Sequence, residues 1–142
     1  MAVQPAMFAP VVALVVWSLV MMAWMYATRI PAMRRSGLLS DPDLGRKAGV
    51  LDSALPPEVQ WKAHNYNHLM EQPTLFYAVA LTLALVGASA ITLVLAWLYV
   101  ALRIAHSLVQ ATRNIVPLRF FLFIAASLCL AGMTIEAAIR VF

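Results

Sequence analysis

Charge is missing from three long stretches of this chain, and that absence leaves few folds open. No Asp, Glu, Lys, Arg or His occurs from Met1 to Thr28, from Gln72 to Leu102, or from Phe120 to Ile135. A bilayer core of roughly 30 Å is crossed by about 20 apolar residues of helix. Only 11% of the residues are charged and 63% are hydrophobic, against about 25% charged in ordinary soluble domains. The chain therefore reads as an integral membrane protein, all-α, with four spans in one domain over residues 1–142.

The spans follow from the breaks between them. Helix 1 is expected over about 6–30, where Pro31 ends or kinks it, because proline has no amide proton and crowds the preceding turn. The first segment lacks a basic n-region, so it reads as a retained span rather than a signal peptide. Residues 31–57 form the one long loop. Within it "SDPDLGRKAG" resembles a short surface helix and "LPPE" at 55–58 is a second start signal. The charge-free run after Gln72 is too long for one span and too short for two unless the polar segment before it belongs to helix 2. Helix 2 is therefore set at about 58–86, helix 3 at 90–112 and helix 4 at 117–140. "VGASA" separates the second and third, and "TRNIVP" the last two, with Asn114 as a cap and Pro117 at the start of helix 4.

Basic residues set the orientation. Arg34, Arg35, Arg46, Lys47 and Lys62 fall around the first loop, and Arg113 and Arg119 flank the third; the second loop has none. The positive-inside rule puts these loops in the cytoplasm and both termini away from it. The net charge of +4 is explained by this clustering beside the spans and is no sign of nucleic-acid binding. Cys129 stands alone in an apolar segment, where a thiol is inert, and it says nothing of redox compartment.

Polar groups inside the spans need a reason, because a charge at mid-membrane costs about 2.5–3.5 kcal/mol on insertion scales. Helix 2 carries His64, Asn67, His68 and Glu71 at spacings that put them on one face. Helix 3 carries Arg103, His106, Gln110 and Arg113, again on one face. Glu71 and Arg103 are expected to pair, directly or through a bound ligand. Pro73 would kink helix 2 beside Glu71 and free a carbonyl. One outcome is an ion pair that fixes packing. Another is a polar cavity for a small anionic or zwitterionic molecule, since arginine clamps carboxylates in a bidentate way, with a lipophilic co-substrate entering from the bilayer. A metal site on His64, His68 and Glu71 is a further alternative. A transporter fits less well, because paired broken helices are not evident.

The strings "KAHNYNHLMEQPTLF", "LRIAHSLVQ" and "VPLRFF", in this order and spacing, resemble the membrane-associated proteins in eicosanoid and glutathione metabolism (MAPEG), over nearly the whole chain. That family includes microsomal glutathione transferases, leukotriene C synthase and microsomal prostaglandin E synthase. The resemblance implies a four-helix protomer in a homotrimer, with glutathione as co-substrate between protomers toward the cytoplasmic side. It implies substrate-binding roles for Arg34 (or Arg35), Asn67, Glu71, Arg103 and His106, catalytic roles for Arg113 and Arg119, and no metal. The activity implied is a glutathione-dependent transferase or peroxidase acting on a lipophilic electrophile or hydroperoxide, in a bacterial branch of the family and its inner membrane. Some positions depart from the pattern. Glu71 follows Asn67 by four residues rather than three, and Gln110 and Phe123 stand where the synthases carry tyrosines. These departures keep open a second function, a non-catalytic scaffold or lipid-binding protein of the same fold.

Overall fold

The computed structural model describes residues 3–40 and 49–142. All regular structure among them is helical. After a 3-10 turn at Pro5–Met7 come α1 (Phe8–Arg35), a second 3-10 turn (Leu38–Ser40), α2 (Val50–Ala54), α3 (Pro57–Leu69), α4 (Gln72–Val86), α5 (Ala90–Thr112) and α6 (Val116–Val141). The expected surface helix at "SDPDLGRKAG" lies mostly outside the described residues. Four helical stretches are long and apolar enough to cross a membrane: Pro5–Arg35, Pro57–Val86, Ala90–Thr112 and Val116–Val141.

Two prolines act differently from expectation. Pro31 lies inside α1, which continues to Arg35. One missing amide is tolerated in a membrane helix when neighbouring groups take up the freed carbonyls. The second span does break, but more sharply than a kink. Leu69 ends α3, Met70 and Glu71 form a turn, and α4 starts at Gln72 with the buried Pro73 in its first turn. Glu71 takes φ −90°, ψ −97°, which no helix can contain. Proline is well suited to a helix start and cannot donate back into the turn before it. The break redirects the span: α3 packs on α1 and α5, and α4 packs on α6 and the N-terminal turn.

The core sits where α4, α5 and α6 meet. Phe76 of α4 stacks on Tyr99 of α5, with ring centroids 4.4 Å apart and planes at 9°, and both are fully buried. Ala80, Ala84, Ala96, Ala126 and Ala137 are buried around them. Small residues let helix backbones approach where lipid gives no hydrophobic drive for association. Gly132 shows how closely: a Cβ there would stand 3.1 Å from Leu95 Cδ1.

The ends are tied by polar groups. Ser89 caps α5, accepting from Thr92 N at 3.2 Å. Glu136 of α6 accepts from Ser89 N and Ser89 Oγ, each at 2.7 Å, and from Thr92 Oγ1, and it pairs with Arg140 at 2.6 Å. A carboxylate at a helix N-terminus also meets the positive end of the macrodipole. Glu136→Ala is expected to cost about 1–3 kcal/mol, the range for stranding donors of a charge-assisted set. Arg140→Ala should cost under about 1 kcal/mol, as for exposed pairs. Thermal unfolding in detergent compares the two; equal shifts would show that the capping account is wrong. Asn114 is not the cap of α6, which is Ile115. It instead ends α5 in the left-handed region, at φ +50°, donating its backbone N–H to Val109 O at 2.7 Å. Asparagine tolerates that conformation, and the turn is tight because of it.

Candidate functional site

The break in the second span sets the site. With no amide at Pro73 the end of α3 is short of donors, and a buried arginine supplies one. Arg103, 1% exposed, donates from Nη2 to the carbonyl of His68 at 2.9 Å. A cation at a helix C-terminus is where the macrodipole favours it. The carbonyl left without the Pro73 amide is that of Leu69, four residues back; Arg103 bonds the one before it, that of His68.

The expected Glu71–Arg103 pair does not form directly. Glu71, whose side chain is 67% exposed, bonds through Oε2 to Nδ1 of His68 at 2.7 Å. Arg103 and Glu71 therefore meet through one residue, the first at its carbonyl and the second at its ring. The His68 ring also stacks on Phe123 of α6, with centroids 5.6 Å apart, and stands 5.0 Å from the ring of His106 on α5. His106 lies one turn beyond Arg103 and is 2% exposed.

His68, His106, Val116, Arg119, Phe120 and Phe123 line a cleft of about 230 Å³. Arg119 in the first turn of α6 is held there by Asn114 Oδ1, which accepts from Nη1 at 2.5 Å. The turn residue that closes α5 thus also aims a cleft residue. Nε and Nη1 of Arg103 and Nε of Arg119 are buried with no hydrogen-bond partner among the described residues. All three are donors, and guanidinium has no acceptor. The chemistry that satisfies them is an oxygen-rich or anionic group. The cleft is smaller than the usual pocket of roughly 300–1,000 Å³, so it suits the reacting end of a peptide-sized ligand rather than the whole of it.

Other residues named from sequence lie elsewhere. Asn67 is exposed and lines a wider groove of about 420 Å³ with Tyr26, Arg29, Ile30 and Tyr66, on the α1 side of α3. Arg34 is exposed in the last turn of α1, and Arg35 lines a third groove with Pro56 and Val59. Arg113 is exposed at the C-cap of α5, so it does not share the buried position of Arg103, His106 and Gln110. Among the described residues no three His, Cys, Asp or Glu side chains are grouped to hold a metal, and the set His64, His68 and Glu71 does not converge.

Two residues were missed. Arg29 was given no role from the sequence, yet Leu14, Ser18, Met21 and Met25 form a buried stripe whose helical spacing runs on to Arg29. His68 was weighed only as a metal ligand, although its i,i+3 relation to Glu71 was visible in the sequence.

No curated protein and no solved structure matches this chain. The MAPEG family model matches residues 7–139, from the last residue of the opening 3-10 turn to the last turns of α6. That match takes in all four membrane-length helices together with the polar break in the second, and on it this chain belongs to the MAPEG family.

Proposed function

We propose that the protein is a membrane-bound glutathione-dependent transferase or peroxidase that acts on a lipophilic electrophile or hydroperoxide. The observation that carries this reading is the meeting of Arg103, Arg119, His106 and the Glu71–His68 pair at a helix break inside an otherwise apolar bundle. Arg119 lines the cleft with no carboxylate among the lining residues, and Arg103 lies behind it on the carbonyl of His68; glutathione supplies carboxylates and a thiol that ionises. Arg119 and Arg103 would hold its anionic groups. A guanidinium beside the sulfur stabilises the thiolate. Phe120 and Phe123 form an apolar wall through which a lipophilic co-substrate enters from the bilayer.

Asn67 and Arg29 sit on the other flank of α3 and would reach the same ligand only where two protomers share it. A homotrimer provides that arrangement and would cover Glu71, which one protomer leaves exposed at mid-span. As part of this reading the protein would lie in a bacterial inner membrane, and the basic residues of the first and third loops support both termini facing away from the cytoplasm.

The test is binding. Glutathione at 100 times its dissociation constant should stabilise the purified protein by about 2.7 kcal/mol, read as a thermal shift in detergent. An unchanged melting point at millimolar glutathione would favour the second reading, a non-catalytic scaffold of the same fold. Gln110 and Phe123 motivate that alternative: Phe123 packs on His68 and Gln110 Oε1 is buried without a partner among the described residues, where a tyrosine hydroxyl would have served a ligand.

A further inference from the structure

We infer that His68, oriented by Glu71, is the group that takes the thiol proton of glutathione, and that Glu71 is its positioning residue. The inference rests on the glutathione reading above and adds the fate of the proton. A guanidinium stabilises an anion but cannot remove a proton, because it stays protonated throughout the accessible pH range. Arg103 and Arg119 therefore explain why a thiolate would be stable in the cleft and not how it forms. A neutral acceptor must stand within the same space.

Two imidazoles line the cleft, and the geometry distinguishes them. An ionised carboxylate only accepts hydrogen bonds, so the 2.7 Å contact between Glu71 Oε2 and His68 Nδ1 requires the proton on Nδ1. That leaves the lone pair on Nε2. No carboxylate is bonded to His106 among the described residues. His68 is also held in three ways. Arg103 bonds its backbone carbonyl, Glu71 bonds its ring nitrogen, and Phe123 stacks on its ring. An acid that fixes a histidine tautomer and stabilises the imidazolium is the arrangement that makes histidine an effective base. The charged and titratable groups around it are Glu71 from the turn, Arg103 and His106 from α5, and Arg119 from α6.

In the reaction Nε2 of His68 takes the proton from the thiol, and the S–H electron pair stays on sulfur. Glu71 balances the imidazolium so formed while Arg119 and Arg103 balance the sulfur anion. Glutathione contributes the nucleophile: its sulfur forms the C–S bond as the leaving group departs with its electron pair. The imidazolium then gives the proton to water, or to the leaving group where that is basic, so His68 ends neutral and the sum is thioether, leaving group and proton.

The experiment compares wild type, His68→Gln and Glu71→Gln in detergent. Two readouts are followed: the ultraviolet absorbance of bound glutathione thiolate at pH 7, and the pH profile of kcat/KM with a generic aryl halide. Thermal shift confirms that each protein is folded and saturated. H68Q should bind glutathione yet show a weaker thiolate band at pH 7, since no imidazolium forms to balance the sulfur, with kcat/KM down about 10²-fold, the lower end for a general base. Its deficit should close as the pH rises toward and beyond about 8.5, the pKa of a free thiol, because solvent then takes the proton of a thiol that Arg103 and Arg119 still polarise. E71Q should show a smaller loss with the same recovery at high pH, and it decides the matter if H68Q does not fold. A full thiolate band in H68Q, or in E71Q a deficit that does not change with pH, would overturn the inference. Failure of wild type to bind glutathione at all would instead remove the functional reading on which it rests.

Discussion

Under the proposed glutathione reading, Arg103→Ala is expected to lower kcat/KM for conjugation by about 10²–10³-fold, the loss typical when one preorganised donor to a developing anion is removed. Two effects combine. The cation beside the cleft disappears, and so does the Nη2 bond that fixes the backbone of His68. Arg103→Lys separates them, since lysine keeps the charge but has neither the planar fork nor the reach of two arms. It should fall between wild type and alanine. The helical circular dichroism and the oligomer size should be unchanged in both variants. Wild-type kcat/KM in Arg103→Ala would show that the buried guanidinium only holds helices together.

Phe76→Ala is expected to give the largest stability loss. In soluble cores Phe→Ala costs about 3–5 kcal/mol, the sum of a transfer term and a cavity term. Lipid tails are as apolar as the side chain, so in a membrane the transfer term shrinks and packing dominates. The expected cost is therefore about 2–3 kcal/mol, carried by the lost stack on Tyr99 at 4.4 Å. Tyr99→Phe keeps the stack and removes only a 3.4 Å bond to Gln72 Oε1, so it should cost under about 1 kcal/mol. Urea or detergent unfolding ranks the two. An equal or larger effect of Tyr99→Phe would mean that the polar contact, not the ring stack, joins α4 to α5.

Much of the site was visible in the sequence because ionisable residues stand out against apolar runs. Arg103 and His106 stand just past the end of one, still within the third span, and the structure buries both. The grouping on helix 2 was less reliable for a definite reason. His64, Asn67, His68 and Glu71 share a face only while one helix runs through them. The turn at Met70–Glu71 ends that register. A face is also wide enough to meet two neighbours. Asn67 and His68 are separated by about 100° around the helix axis, and so one looks toward α1 and the other toward α5 and α6.

Four membrane-length helices and the polar belt in the second follow from the sequence alone. Both depend on where charge occurs along the chain, and the cost of burying charge in lipid applies whatever the fold. Which charges meet across helices was decided only by the tertiary structure. The i,i+3 pairing of Glu71 with His68 was within reach of the sequence, but that α5 brings Arg103 up to the His68 carbonyl was not, because that hydrogen bond depends on orientation across helices that sequence spacing does not encode.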